Sequence, residues 1–211
     1  SGSVTGITRG PGRGLQRHPV VARSALALAP SMRTRRFWGW GYEEEGPNPA
    51  MLAMAEAALS PMLGIDDVQI RPRPTLDELE LPAPRVAPPT TLARVLTHDP
   101  FERALHSYGR SYRDLVRCFE RQFDHPPDLV AFPEREQDVI DLLDWASGAR
   151  IAVFPFGGGS SVCGGVEPII DGNFRATVSL DMTRLSRVLE VDERSRAARI
   201  QAGALGPVLE E

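Results

Sequence analysis

An apolar, strand-like run that opens directly into a cluster of glycines constrains this chain more than any other feature. From Phe154 the sequence reads Phe-Pro-Phe-Gly-Gly-Gly-Ser-Ser-Val-Cys-Gly-Gly, ending at Gly165. Glycine tolerates positive φ and admits a ligand or a second backbone at close range, so successive N–H groups in such a loop can turn toward one anion as a nest. An ordinary flexible turn is the plainer reading. What precedes the loop favours the nest: residues 128–133 read as a strand, 134–147 as a helix and 150–156 as a second strand, a βαβ crossover short enough to pack on a sheet. Val139, Leu142, Leu143 and Ala146 form the apolar stripe of that helix, and Gly148 is placed to end it at positive φ.

Two common nucleotide motifs are excluded. The 24 basic residues are all arginine, so no lysine follows the glycines and G-x-x-x-x-G-K-[ST] is absent. Gly157, Gly159 and Gly164 have the wrong spacing for G-x-G-x-x-G, and a strand rather than a strong helix follows. Short apolar runs at 176–180, 187–191 and 197–201 suggest that an α+β sheet continues, with a turn over 192–196. Residues 207–211 open a helix that stops at the last residue, so the domain is expected to continue past Glu211.

Upstream, Phe37-Trp38-Gly39-Trp40-Gly41-Tyr42 is too aromatic to leave in water and is expected to dock on a core, with ligand stacking as the sharper alternative. Asn48 and Pro49 start a helix over 50–63 that Gly64 stops, its Met and Leu stripe serving packing. Prolines and acids over 71–89 describe an extended connector or wrapping arm. Helical spacing over 101–123 breaks at Gly109 into two short helices, where Arg110 and Arg113 either reach a phosphate or stay solvated.

The net charge of −4 hides an acid-free opening with Arg9, Arg13, Arg17, Arg23, Arg33, Arg35 and Arg36. The acidic remainder argues against a general nucleic-acid binder, and the opening reads as an unstructured tail or a processed presequence before Met32. Cys118 and Cys163 are too few for a disulfide framework, and no apolar run is long enough to span a membrane. A reducing, cytoplasmic setting follows. His18, His98, His106 and His125 lack metal-ligand spacing and suit surface or packing roles, so no metal is expected.

The order of these features resembles the FAD-linked oxidases of the vanillyl-alcohol-oxidase type, whose FAD-binding domain opens with a strand, a helix, a strand and a Gly-rich loop. The matching stretches are Pro127-Asp128-Leu129-Val130-Ala131-Phe132-Pro133, the helix over 136–146, Val153 through the loop to Val162, and Leu180-Asp181-Met182-Thr183-Arg184-Leu185. The resemblance implies an α+β fold, the N-terminal part of a two-subdomain FAD-binding (PCMH-type) fold. It divides the chain into a disordered basic tail over 1–36, a helical and extended region over 37–124 and a first FAD-binding subdomain over 125–211. It also implies a cofactor-binding set: Pro155, Phe156 and the amides of Gly157, Gly158, Gly159, Ser160, Ser161 and Val162 around the FAD diphosphate, with the serine hydroxyls as added donors. Asp181 and Met182 would lie near the diphosphate or adenosine; a sheet-edge turn is the alternative for both. Some relatives attach flavin through a histidine in this loop, and Ser160 stands there instead, which implies non-covalent FAD. Cys163 reads as a small packed residue rather than another attachment point.

Within the family, the motif Trp38-Gly39-Trp40-Gly41-Tyr42 and the approach His106-Ser107-Tyr108-Gly109-Arg110-Ser111 are similar to a particular branch. That branch exchanges the acyl chain of an acylated dihydroxyacetone phosphate for a fatty alcohol in ether-lipid synthesis, without net redox change. The second reading is an FAD-linked dehydrogenase of a 2-hydroxy acid such as D-lactate or glycolate, and the third a non-catalytic fragment or nucleotide-binding module. No Ser/His/Asp constellation supports a catalytic assignment, and the resemblance puts the cap domain and catalytic residues beyond Glu211, which makes this piece alone inactive. The partners implied are FAD and a small-molecule or lipid substrate, with a homodimer kept open and neither nucleic acid nor a membrane span.

Overall fold

The computed structural model describes residues 33–66 and 68–210; of the tail expected over 1–36, residues 1–32 lie outside them, while residues 33–36 are held in the fold, with Arg35 bridging to Tyr42 and the Arg36 N–H bonded to the Gly41 carbonyl. Asn48 accepts a hydrogen bond from the Met51 N–H (2.9 Å), Pro49 opens helix α1 (Pro49–Leu63) and Gly64 closes it at φ 63°. The expected caps are therefore present, but the packing expected of the helix is not. Met51, Met54, Met62 and Leu63 are exposed and no residue of α1 is buried. The helix is tied through Ser60 Oγ and Glu56 Oε1, which accept from the N–H groups of Val68 and Ile70. Residues 71–89 run as the expected extended arm, turning once through a 3-10 segment at Leu76–Glu78. Leu76, Leu79 and Leu81 lay against a cluster formed by Phe37, Trp38, Leu105, Tyr108 and Phe123. The aromatic stretch thus docks on a core: Phe37 meets Phe101 and Phe123 edge-on and Trp38 meets Phe119, while Trp40 stays exposed.

Strand β1 (Leu96–Thr97) leads into α2 (Pro100–Leu105) and α3 (Tyr112–Phe119), which break apart around Gly109 as the spacing predicts. Then come β2 (Leu129–Ala131), α4 (Glu136–Ala149), β3 (Ile151–Phe156) and β4 (Ala176–Asp181). They form a four-stranded sheet in the order β1-β2-β4-β3, with β2, β4 and β3 parallel and β1 antiparallel at the edge. The β2–α4–β3 crossover spans the place that β4 later fills. Side chains alternate along a strand, so Leu129, Ala131, Ile151, Ala176, Val178 and Leu180 share one face, on which α4 buries Leu142 and Ala146. The opposite face carries Phe156, Thr177, Ser179 and Asp181 toward α2. Leu142 is 1% exposed. Leu142→Ala is expected to lower stability by about 2–5 kcal/mol, read from chemical denaturation.

Three expectations are corrected. Leu143 is exposed, and Val139, Trp145 and Ala149 complete the packed stripe, because the helix repeat carries 143 past the sheet. The helix runs through Gly148 and ends at Arg150, at φ 54°, since the chain must turn only after Ala149 has packed. Strands β5 (Val188–Asp192) and β6 (Ala197–Ile200) form a separate antiparallel ribbon rather than continuing the sheet. Their residues are exposed apart from half-buried Leu189, a pattern that cannot fill an interior strand with two covered faces. Helix α5 (Gly206–Leu209) follows.

Candidate functional site

The glycine loop leaves the carboxyl end of β3 and is held from its carbonyl side. The Phe156 carbonyl accepts from the Met182 N–H (2.8 Å), that of Gly157 from Arg35 Nη1 (3.4 Å) and that of Ser161 from the Arg110 N–H (2.6 Å). In a trans peptide the carbonyl and the following N–H point opposite ways, so the N–H groups of Gly157, Gly158 and Val162 are aimed away from those donors. Among the described residues, no main-chain N–H from 157 to 162 donates to a protein acceptor. No heavy atom lies within 4 Å of where a Gly157 Cβ would sit, which leaves space on that side of the loop. Gly159 has φ +69°, and a Cβ there would fall 2.5 Å from the Phe156 ring, so only glycine lets the loop fold over that ring.

The residues expected to bind cofactor are brought together by the β3–β4 register, which sets Phe156 opposite Asp181. Pro155, Gly158, Ser160 and Val162 are exposed, Gly157 and Ser161 half-buried, Phe156 and Gly159 buried. Ser160 is exposed, whereas the Ser161 Oγ accepts from the Gly165 N–H (3.2 Å). Met182 is half-buried against the sheet core, and its carbonyl lies 1.8 Å from where a Gly203 Cβ would be. That contact brings the segment after the ribbon beside the loop, with Leu205 3.8 Å from the Cβ position of Gly158.

Asp181 is wholly buried and its oxygens face protein donors: Arg35 Nη2 at 2.8 Å, His106 Nε2 at 2.9 Å, the Thr183 N–H at 2.8 Å and the Thr183 hydroxyl. Burial would raise the carboxyl pKa, but the His106 hydrogen bond, the Arg35 charge and Thr183 hold it down to about 2. His106 also faces the Glu102 carbonyl through Nδ1 at 2.7 Å. Both partners are acceptors, so the ring serves both only with a hydrogen on each nitrogen. Burial pushes the neighbouring Glu102 carboxyl upward.

Sequence reasoning missed this group because Arg35 and His106 stand 146 and 75 residues from Asp181 and share no motif with it. It missed the helical wall as well. Arg110 is not solvated: it is buried and donates to the carbonyls of Arg36, Tyr108 and Gly109, whereas Arg113 is exposed. A Gly109 Cβ would lie 2.0 Å from the Ser161 carbonyl oxygen, so the α2–α3 bend touches the loop backbone directly. Further on, Arg117 grips Glu167 with two hydrogen bonds (2.7 and 2.9 Å) and lies 4.0 Å over the Tyr108 ring. No cluster among the described residues could hold a metal ion, and both cysteines are free, Cys118 buried with its thiol pushed up to about 12 by burial and Cys163 exposed.

A nest of unpaired amides at the carboxyl end of a parallel strand, with room beside it and a hydroxyl at its rim, fits a dinucleotide diphosphate. Residues 127–211 match the family described as an FAD binding domain. This domain has the FAD-binding PCMH-type fold. The particular proteins it is similar to are alkyldihydroxyacetonephosphate synthases. That of Trypanosoma brucei brucei is 36% identical over 156 residues, covering 69% of this chain and 25% of that protein. That of Dictyostelium discoideum is 40% identical over 116 residues, covering 55% of this chain and 19% of that protein. A solved alkyldihydroxyacetonephosphate synthase superposes with a TM-score of 0.69 at 28% identity, over 83% of this chain and 37% of that one. The chain therefore spans a quarter or less of the length of these curated relatives.

Proposed function

We propose that the chain is the loop-bearing part of a flavoenzyme that holds FAD non-covalently by its diphosphate and exchanges the acyl chain of an acyl-dihydroxyacetone phosphate for a fatty alcohol. The observation that carries this reading is the row of unpaired N–H groups over residues 157–162. Such a row can hydrogen-bond a diphosphate without lysine, which suits a chain that has none. The Ser160 hydroxyl adds a donor at the rim. Asp181 would repel a diphosphate if it faced one; Arg35 pairs with its charge and His106 hydrogen-bonds it, so its share is to hold the loop in place. Met182 serves through its main chain, fixing the Phe156 carbonyl. Bound FAD supplies the flavin ring chemistry, and the residues here bind and orient its diphosphate end. The substrate class rests on the similarity to the synthases, and a cytoplasmic homodimer completes the proposal.

The test uses the purified full-length enzyme that carries this chain, titrated with FAD and followed by flavin fluorescence. Acid precipitation is expected to release all of the flavin into the supernatant, and flavin left on the precipitated protein would overturn non-covalent binding. Loaded protein given acyl-dihydroxyacetone phosphate and a fatty alcohol is expected to yield the ether product and free fatty acid. Bleaching of the flavin by D-lactate or glycolate, with no such exchange, would replace the synthase reading by a hydroxy-acid dehydrogenase.

A further inference from the structure

We infer that Arg35 is a positioning residue of the diphosphate loop: by bridging the Gly157 carbonyl and the Asp181 carboxylate, it fastens a segment outside the FAD-binding domain to the loop and sets how tightly a dinucleotide diphosphate is held. The inference rests on the flavin reading above and extends it to a residue outside the matched segment 127–211. Arg35 belongs to a strap that is itself fixed. It bridges to Tyr42, the Arg36 N–H donates to the Gly41 carbonyl (3.1 Å), and Phe37 and Trp38 are buried just beyond it. From there its guanidinium lies 5.7 Å from the Phe156 ring centroid, with Nη2 on Asp181 and Nη1 on Gly157. Those acceptors stand at the carboxyl ends of β3 and β4, Gly157 just after β3 and Asp181 the last residue of β4, and the two strands are adjacent.

A loop built on Gly157, Gly158 and Gly159 has no side chains of its own with which to hold its shape. Its ordering must be met at the moment of binding unless outside ties have met it beforehand. Three ties hold its carbonyls, and two of them, from the Met182 and Arg110 N–H groups, are main-chain bonds whose donors only a proline at 182 or 110 would remove. The third comes from the Arg35 side chain. Its planar fork reaches two acceptors through separate nitrogens, which a lysine ammonium cannot reproduce.

The experiment compares the full chain with Arg35→Ala, Arg35→Lys and, as a distant loss of the same charge, Arg199→Ala on exposed β6. FAD affinity is read by fluorescence, ADP affinity by calorimetry as a diphosphate probe, and apo-protein stability by thermal melting. Arg35→Ala is expected to weaken FAD and ADP alike by about tenfold or more. Arg35→Lys is expected to stay within about threefold of the alanine variant, because it keeps the charge but loses the bridge. Arg199→Ala is expected to bind like the parent. Unchanged affinity in Arg35→Ala, with or without a lower melting temperature, would overturn the inference, as would full recovery in Arg35→Lys. Should the alanine variant not fold, weakened binding by Arg35→Lys still supports the bridge and parental binding still overturns it. A parent chain that binds neither FAD nor ADP would bring down the flavin reading itself, whereas a tight parent with indifferent Arg35 variants removes this inference alone.

Discussion

Gly109→Ala is expected to weaken FAD binding by more than about 100-fold while costing about 1–3 kcal/mol of stability, an overpacking penalty concentrated where the helical bend meets the nucleotide loop. The added methyl would sit 2.0 Å from the Ser161 carbonyl oxygen, 2.9 Å from its carbon and 3.3 Å from Asp114 Oδ2. An ordinary carbon–oxygen contact is about 3.3–3.6 Å, so the backbones must part by more than about 1 Å. The bend cannot retreat easily. Ser111 and Asp114 cap α3 reciprocally just behind it, and Arg110 is buried against main-chain carbonyls. The loop therefore moves, and the Arg110 N–H bond to Ser161 is lost with it. Binding sites tolerate about 0.5 Å of misplacement, so the amides over 157–162 would no longer converge on one anion. Gly148→Ala is the contrast, because no atom lies within 4 Å of its Cβ position and it sits inside α4. That variant should bind FAD normally and gain about 0.5–1 kcal/mol. Native FAD affinity in Gly109→Ala would show that the loop does not depend on the bend.

Much of this arrangement is legible in the sequence wherever it depends on neighbours along the chain. The crossover from β2 through α4 to β3 follows from apolar periodicity, and the loop follows from glycines directly after a strand. The caps of α1 are visible because Asn48, Pro49 and Gly64 act within a turn of where they stand. Contacts over long separations leave no local signal. His106 reads as a packing histidine, and only the fold reveals that it meets Asp181. Gly148 looks like a helix stop because glycine reaches positive φ cheaply, yet the stop is set by where α4 must turn into β3, and Arg150 takes the strained conformation instead. Alternation alone likewise could not tell an interior strand from the exposed ribbon of β5 and β6, since pairing partners are a property of the sheet.

Asp181→Asn is expected to lower stability by about 3–5 kcal/mol at neutral pH, the range for removing one partner of a buried ion pair. In the parent, one carboxylate oxygen accepts from Thr183 and the other from Arg35 and His106. An amide has one acceptor oxygen and one NH₂, so whichever way it turns, the NH₂ meets donors. Acid should reproduce part of this loss in the parent. A carboxyl whose folded pKa is held at about 2, against an ordinary 3.8, contributes stability that is fully present above the unfolded value. That contribution, about 2 kcal/mol, is lost as pH falls through the folded value, between roughly pH 4 and pH 2. It is smaller than the mutational cost because protonation does not place a new NH₂ against Arg35 and His106. Urea denaturation from pH 7 to pH 2 should therefore give a steep acid limb for the parent, a flatter one for Asp181→Asn, and curves that approach each other at the acid end. An equally steep limb in the variant, or equal stability at pH 7, would mean that the loop is anchored by main-chain bonds without help from the buried carboxylate.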